Sequence, residues 1–338
     1  MGQGQRAARP GASIQGLKVI DEYLSSLPLQ AQYDDVEAVS ALAARQDVRF
    51  EQLGSGRMRS SYSLLTTRNM HVSDSVHTVG AIARGSVGKG LCMVGVPGDD
   101  GPERSTGGRV AKGDCVLVRS GQDYLSLSRR PFRALSVVLS QSRLEEAAEA
   151  TWGVPLLTLA PGYRLGLADP GARRWLHHEL RALLSPEGEG PGFTHLRRRT
   201  DAETEETVIE ALLRAARPQP ERRRDPGRFA LARRAEAMVR DNLAEDLSIT
   251  RCAAYLGTPL RTLELGFGEL YGITLRQYRH SLRLNAARRD LLLPAREDSV
   301  GTVAVRWGLY HLGRFSTEYR RMFGESPSET RRTARRTR

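Results

Sequence analysis

Short segments rich in Val, Leu and Ser, separated by glycine turns, fill the chain between about residues 60 and 140. Several short strands at this spacing predict a β-sandwich or a β-barrel. The segments are SYSLLTT, HVSDSVHTVGAIAR, GKGLCMVGVPG, GDCVLVRSG, YLSLSR and RALSVVLS.

From Gln141 onward the pattern of apolar positions becomes helical. Two Gly- or Pro-rich stretches interrupt it, a predicted loop over 185–193 and a predicted linker that begins at Arg217. After the linker every segment reads as helix. The longest is TLRQYRHSLRLNAARRDLLL, for which Thr274 is the predicted N-cap. The last helix is predicted to begin at SPSE, with Ser326 as N-cap and Pro327 at the first helical position.

The C-terminal third contains an internal repeat. CAAYLGTPLRTLELGFGELYG (252–272) aligns with VAVRWGLYHLGRFSTEYRRMFG (303–324), and each copy has an alanine four residues before a turn glycine, Gly257 or Gly308. A glycine in the left-handed conformation ends a helix, and apolar residues four apart hold the next helix against it. Each copy is therefore predicted to be a helix-turn-helix unit, whose second helix can enter a major groove.

The positive charge of the chain lies almost entirely in the same third. Residues 221–338 contain 24 arginines, no lysine and 14 acidic residues, a net of +10 out of +12 for the whole chain. Such asymmetry suits a polyanionic partner, usually nucleic acid, but it also fits an arginine-rich chain with a solvated tail, and charge alone does not choose between the two. Three cysteines at unrelated spacings fit a reducing cytoplasm without a disulfide framework. No run approaches the ~18 apolar residues of a membrane span, and the N-terminus lacks the apolar region of a signal peptide.

The block from about Arg233 to Arg332 resembles the DNA-binding domain of AraC/XylS-type transcription regulators. The resemblance rests on AAYLGTPLRTLELGF, RLNAARRDLL and VAVRWGLYHLGRFSTEYRRMFGESPSE. It implies two helix-turn-helix units, bridged by a helix, that read successive major-groove segments on one face of DNA. The chain departs from the family at Leu265 and Gly268, where basic residues are frequent, and at Pro259, which replaces a common serine cap. The first unit is therefore expected to bind more weakly than the second.

The recognition helices are predicted to run from about Pro259 to Leu270 and from about His311 to Met322. Arginine can pair with guanine through two hydrogen bonds, and glutamate can accept one from cytosine. Five aromatic residues are predicted to lie in the core: Phe267, Trp307, Phe315, Tyr319 and Phe323. The predicted DNA-binding positions are Leu260, Arg261, Thr262, Glu264 and Leu265 in the first unit, and His311, Gly313, Arg314, Thr317, Glu318, Arg320 and Arg321 in the second.

The N-terminal segments FEQLGSGRMRSSYSLL and GDCVLVRSGQDYLSLS resemble the cupin-like domains that often precede this DNA-binding domain. A cupin metal site needs clustered histidines and a carboxylate. His71 and His77 lie six residues apart without an HxH motif, so we expect no metal and no cofactor. GSVGKGLC departs from the P-loop pattern because glycine follows its lysine.

The sequence thus predicts an α+β multidomain protein, with a cupin-like β-sandwich or barrel and following helices before an all-α double helix-turn-helix domain. The predicted division is a disordered or loosely ordered lead over 1–29, a regulatory and dimerisation domain over 30–216, a linker over 217–230, the DNA-binding domain over 231–333 and a basic tail over 334–338.

The predicted function is a cytoplasmic, effector-responsive transcription activator without enzymatic activity. Its expected partners are double-stranded promoter or operator DNA and RNA polymerase, with a small-molecule effector and a homodimer as further candidates and no membrane. Two alternatives stay open: an enzyme-like β domain fused to a DNA-binding module, and an architectural binder that uses charge alone.

Overall fold

The computed structural model describes residues 29–43, 48–106, 108–110, 114–153, 164–167, 170–185, 200–217, 226–245, 247–293 and 298–336. The predicted lead thus lies outside the described residues, except for Leu29, as does most of the predicted 185–193 loop. We call the described residues from 29 to 217 the β region and those from 226 to 336 the helical region.

The β region contains strands of two to nine residues. They are β1 Leu29–Tyr33, β2 Val48–Gln52, β3 Ser60–Thr66, β4 Met70–His77, β5 Ala81–Ser86, β6 Leu91–Gly95, β7 Arg104–Ser105, β8 Gly108–Arg109, β9 Asp114–Val118, β10 Asp123–Leu127, β11 Phe132–Ser140, β12 Arg164–Leu167 and β13 Ala216–Arg217.

Helices flank these strands in the β region and make up most of the described helical region. They are α1 Val36–Ala43, α2 Gln141–Trp152, α3 Pro170–Leu183, α4 Asp201–Ala215, α5 Pro226–Asp241, α6 Ile249–Tyr255, α7 Leu260–Tyr271, α8 Leu275–Leu292, α9 Val300–Arg306, α10 Leu312–Phe323 and α11 Pro327–Arg336. No helix among the described residues is both long enough and apolar enough to cross a membrane.

The strands form two antiparallel sheets. The larger has the order β1-β3-β4-β11-β6-β9-β12-β13, and the smaller has the order β2-β5-β10-β7-β8. The longest pairing joins β4 and β11, in register from His77 opposite Phe132 to Met70 opposite Leu139. One face of the larger sheet packs against α2, α3 and α4 through buried leucines such as Leu144, Leu180 and Leu212.

Both faces of the smaller sheet are buried. Successive side chains along a strand point to opposite faces, so neighbouring residues of β5 belong to different clusters. Ala81 and Ala83 pack into a cluster with Phe132 of the larger sheet. Ile82, between them, packs instead into the core of the first helix-turn-helix unit together with Leu127. The face that carries Ile82 therefore packs against the first unit, while the cluster of Ala81 and Ala83 also contains residues of the second unit such as Phe315.

The predicted strand segments of the β region are confirmed as β3, β4, β5, β6, β9, β10 and β11. The sequence pattern did not predict α1 or the two-residue strands, which are too short to show a periodicity. The helices also extend beyond two predicted boundaries. α5 begins at Pro226, inside the predicted linker, and α11 continues to Arg336, into the predicted tail.

Candidate nucleic-acid interface

Each copy of the repeat forms two helices joined at a glycine with positive φ. Gly257, with φ 64°, separates α6 from α7, and Gly308, with φ 68°, separates α9 from α10. Residues other than glycine rarely adopt this left-handed backbone conformation, so the two glycines determine where the supporting helices end. The predicted turns at both glycines are confirmed.

Gly308 is required for a second reason. The guanidinium of Arg283, on α8, lies against it, so that a Cβ on Gly308 would be 2.8 Å from Cζ of Arg283. Arg283 is buried and donates to the carbonyls of Leu243, Glu245 and Gly308 at 2.9, 2.7 and 3.3 Å. The turn of the second unit is therefore tied to α8 and to the chain that follows α5.

The second helix of each unit packs through the positions predicted from the repeat. Phe267 in α7, and Phe315 and Tyr319 in α10, are buried, and Phe323 is buried beside them. The sequence predicts that Trp307 lies in the core, but it is only half-buried at the edge of the core. Its Nε1 donates to Asp290 at 3.1 Å. Its indole N–H finds a partner at the edge of the core rather than inside it.

Helix α8 joins the two units, and its capping matches the prediction. Thr274 accepts from the backbone N–H of Gln277, whose side chain accepts from the backbone N–H of Thr274 in return. The predicted caps of α11 are also confirmed, because Ser326 and Glu329 exchange the corresponding hydrogen bonds. These caps satisfy N–H groups that have no partner within the helix.

Most predicted DNA-binding positions of α7 are open to solvent. Leu260, Arg261, Glu264 and Leu265 are exposed, whereas Thr262 is half-buried. α7 starts at Leu260 and ends at Tyr271, one residue later at each end than predicted. Its exposed face combines one free-standing arginine with apolar and acidic side chains.

The predicted positions of α10 are also exposed, with one exception. The exposed residues are His311, Gly313, Arg314, Thr317, Arg320 and Arg321. The exception is Glu318, whose side chain is only 16% exposed. Helix α10 runs from Leu312, so that His311 is its N-cap and not its first residue. A Cβ added to Gly313 would meet no heavy atom within 4 Å, so this face is unobstructed.

Glu318 holds two basic residues. Its Oε1 accepts from Nε of Arg314 at 2.9 Å, and its Oε2 lies 2.9 Å from Nε2 of His280, on α8. Burial lowers the pKa of His280, and the nearby Glu318 carboxylate raises it by less. Both carboxylate oxygens of Glu318 are thus engaged within the protein, while Arg314 remains 74% exposed beyond it.

The two exposed faces differ in charge. On α7, Arg261 is accompanied by the exposed Glu264 and by Glu269, which lies 3.3 Å from Arg228. On α10, three exposed arginines face solvent and the one carboxylate is largely buried. The second unit therefore presents the more positive surface to a polyanion.

Several exposed residues on this surface were missed in the sequence. Tyr310, Leu312 and Ser316 lie among the predicted positions of the second unit, and the first two are 59% and 47% exposed. The repeat could have indicated Leu312, because it aligns with Leu260 of the first unit. The contact of His280 with Glu318 joins positions on different helices and has no local signal.

The comparisons with known proteins include a match within this region. A family model described as a helix-turn-helix domain matches residues 252–333. The probable thc operon regulatory protein of Rhodococcus erythropolis is 30% identical over 209 residues, which are 60% of this chain and 62% of that protein. A solved structure of a probable AraC family transcriptional regulator from Rhodopseudomonas palustris is 30% identical over 31% of this chain and 98% of that chain, with a TM-score of 0.30. The C-terminal part of the chain, residues 252–333, is an AraC-type helix-turn-helix domain.

A further relative matches over a shorter stretch of the chain. XylDLEGF operon transcriptional activator 3 of Pseudomonas putida is 36% identical over 95 residues, 28% of this chain and 29% of that protein. The chain thus spans less than two thirds of the length of these curated relatives.

The β region contains the two histidines considered as metal ligands. Nδ1 of His71 lies 3.0 Å from Oγ1 of Thr66, and Nδ1 of His77 lies 2.8 Å from Oγ of Ser60. Burial lowers the pKa of His71 to about 4 and that of His77 to about 3. Within the described ranges, no three His, Cys, Asp or Glu side chains converge as a metal site would need.

Proposed function

We propose that this chain is a sequence-specific transcription regulator, an effector-responsive activator that works in the cytoplasm and binds promoter DNA through both helix-turn-helix units. The observation that carries this proposal is the exposure of the same face of α7 and α10, each held by a buried core and a left-handed turn glycine. A helix-turn-helix unit places the N-terminal residues of its second helix against base edges. Two such units reading one face of a duplex need half-sites about 34 Å apart, one helical turn.

Each exposed side chain has a role that its chemistry allows. Arg261 and Arg314 contact guanine or phosphate, and Arg320 and Arg321 contact phosphates. The exposed Leu265 suits the methyl group of thymine. The second unit supplies most of the electrostatic attraction because its face is the more basic.

We propose that the β region is a cupin-like sensor domain that receives the regulatory signal and carries the dimer contact. In its interior, His77 stacks on Phe132 with ring centroids 4.5 Å apart, and Tyr62 meets His77 edge to face. The hydroxyl of Tyr62 is buried and has no hydrogen-bond partner among the described residues. A small-molecule effector with one polar group would satisfy it. RNA polymerase is the partner through which an activator would act.

The test starts from a duplex that the full-length protein selects from a randomised pool. Nuclease footprinting on that duplex should show two protected major-groove segments one helical turn apart. Uniform protection that weakens with salt on every sequence would favour the architectural alternative instead. The Arg314→Ala variant should lose protection of one segment, whereas Lys89→Ala removes a charge from an exposed turn of the β region and should leave both.

A further inference from the structure

The β region touches the C-terminal end of both recognition helices. The last four carbonyls of an α-helix have no partner within the helix and need one from elsewhere. In α10, Gly324 donates to the carbonyl of Arg320 at 2.9 Å, as a C-capping glycine does. The carbonyls of Arg321 and Met322 are left to other parts of the chain.

The last residue of β2 and the loop that follows it supply those partners. The backbone N–H of Gly56 donates to the carbonyl of Arg321 at 2.9 Å, and the side-chain amide of Gln52 donates to the carbonyl of Met322. The same amide donates to the carbonyls of Gly54 and Gly56, at 3.0 and 2.6 Å, which fixes the loop against the helix end. Gln52 is only 1% exposed, so water does not compete for these bonds.

The glycine that ends α10 lies beside this loop, although it stays exposed to solvent on its other side. A Cβ added to Gly324 would lie 3.1 Å from the backbone nitrogen of Arg57 and 3.5 Å from its Cα. Backbone of the β region therefore contacts the C-terminal end of the second recognition helix, while the N-terminal residues of that helix make no such contact among the described residues and are exposed.

The first recognition helix ends against another part of the same sheet. A Cβ added to Gly272 would lie 2.9 Å from Nε and 3.3 Å from Nη2 of Arg104, on β7. The guanidinium thus sits at the C-terminal end of α7, where the helix dipole favours a positive charge. Strand β8, which pairs with β7, also contacts α7.

The helix between the two units is held by the same β strand as α10. Asn285 of α8 exchanges hydrogen bonds with the backbone of Gln52, both at 2.9 Å. The smaller sheet and its loop therefore contact the end of α7, the middle of α8 and the end of α10. These three points lie on the two units and on the helix that joins them.

We propose that the smaller sheet of the β region positions the two recognition helices relative to each other, and thereby sets the half-site spacing that the protein accepts. This inference rests on the proposed DNA-reading function. Gln52 and Arg104 are positioning residues in it, since they hold the ends of α10 and α7 without reaching the exposed reading faces. The β region would then contribute to DNA specificity through the distance and angle between the two reading faces.

The experiment uses full-length protein and the duplex selected by the wild type, with one base pair inserted or removed between the two protected segments. Wild type should lose affinity at least about 10-fold on these altered duplexes, the effect of about one lost base contact. Gln52→Ala and Arg104→Ala should each bind the altered duplexes less than about 3-fold more weakly than they bind the original duplex. Both variants should bind either half-site alone with near-wild-type affinity. Gln141→Ala is the matched control, because its amide accepts from the backbone of Ser120 within the β region.

Each outcome decides the inference. A wild-type spacing profile for both folded variants would overturn it, as would tighter binding to the intact duplex with an unchanged profile. If Gln52→Ala fails to fold, Arg104→Ala gives the same test on the first unit, because Arg104 is only half-buried and its replacement disturbs the core less. A wild-type protein that selects no duplex would instead contradict the proposed function, so the two failures are distinguishable.

Discussion

Asn285 on α8 bonds both backbone polar groups of Gln52: its Nδ2 donates to the carbonyl at 2.9 Å, and its Oδ1 accepts from the N–H at 2.9 Å. The side-chain amide thus takes the place of a neighbouring strand at the edge of the smaller sheet, where β2 would otherwise leave these groups unpaired. Both residues are fully buried.

Replacing Asn285 with alanine should lower the free energy of unfolding by about 2–3 kcal/mol, because it leaves a buried donor and a buried acceptor unsatisfied. Urea unfolding of the full-length protein measures this. Asn242→Ala is the control, since its side chain bonds only the carbonyl of Met238 one turn earlier in the chain. A loss below about 0.5 kcal/mol for Asn285→Ala would show that this contact contributes little.

The buried pair of Arg240 and Glu51 joins α5 to β2. Nη1 of Arg240 donates to Oε1 of Glu51 at 3.1 Å, and Glu51 is 2% exposed. Removing one partner of a buried pair typically destabilises by about 3–5 kcal/mol, because the other charge stays buried. Arg240→Met and Glu51→Met should each show a loss of that order.

The double variant with methionine at both positions should recover much of that loss. Strictly additive losses in thermal or urea unfolding would mean that the two residues act independently. The neighbouring Glu236 retains Arg84 and Tyr278 as partners in every variant. Arg240 also bonds Glu236 and Tyr278, but these contacts are lost in both variants that lack Arg240. They therefore cancel in the cycle, and the coupling reports the contact with Glu51.

Stability should fall with rising pH because of Glu37. Burial raises the pKa of this carboxyl to about 7, although Arg289 acts in the opposite direction. A carboxyl whose pKa is raised on folding gives its full contribution below the unfolded pKa of 4.5 and loses it as pH rises through about 7. At pH 8 we expect Glu37→Gln to be more stable than wild type by about 2–3 kcal/mol.

At pH 4 the same variant should nearly match the wild type, since the carboxyl is then mostly protonated in both states. Unfolding curves at the two pH values measure the difference. An equal effect of Glu37→Gln at both pH values would show that this carboxyl does not titrate between them.

Arg314 should contribute directly to affinity for the selected duplex. Arg314→Ala should weaken binding by about 1–3 kcal/mol, and Arg314→Lys should recover only part of this because lysine lacks the planar fork. Fluorescence titration provides the dissociation constants. Unchanged affinity of Arg314→Ala would remove this residue from the reading set.

Arg320 should contribute equally to the affinity for DNA duplexes of any sequence. As a phosphate contact, its replacement by alanine should weaken binding to the selected and to unrelated duplexes by similar factors. The slope of log affinity against log salt should decrease in magnitude by about 1. A loss confined to the selected duplex would indicate base contact instead.

The helix-turn-helix units could be predicted because their determinants are local. Turn glycines, hydroxyl caps and apolar residues four apart act within one or two turns of helix, and the duplication displayed them twice. Gln52 and Asn285 are 233 residues apart in the chain. No periodicity links such residues, so the docking of the two regions could not be predicted.

Glu318 shows the same limit within the predicted site. The sequence predicts it among the exposed positions of the second recognition helix. Its partial burial depends on His280, which α8 brings to within 2.9 Å of its carboxylate. A helical pattern gives the direction of a side chain but not the neighbour that meets it.

Footprinting with one variant in each unit tests the central claim most directly. On the duplex selected by the wild type, Arg261→Ala and Arg314→Ala should each weaken protection of a different major-groove segment, with the two segments one helical turn apart. Loss of protection at the same segment in both variants, or uniform loss along the duplex, would contradict reading by two helix-turn-helix units.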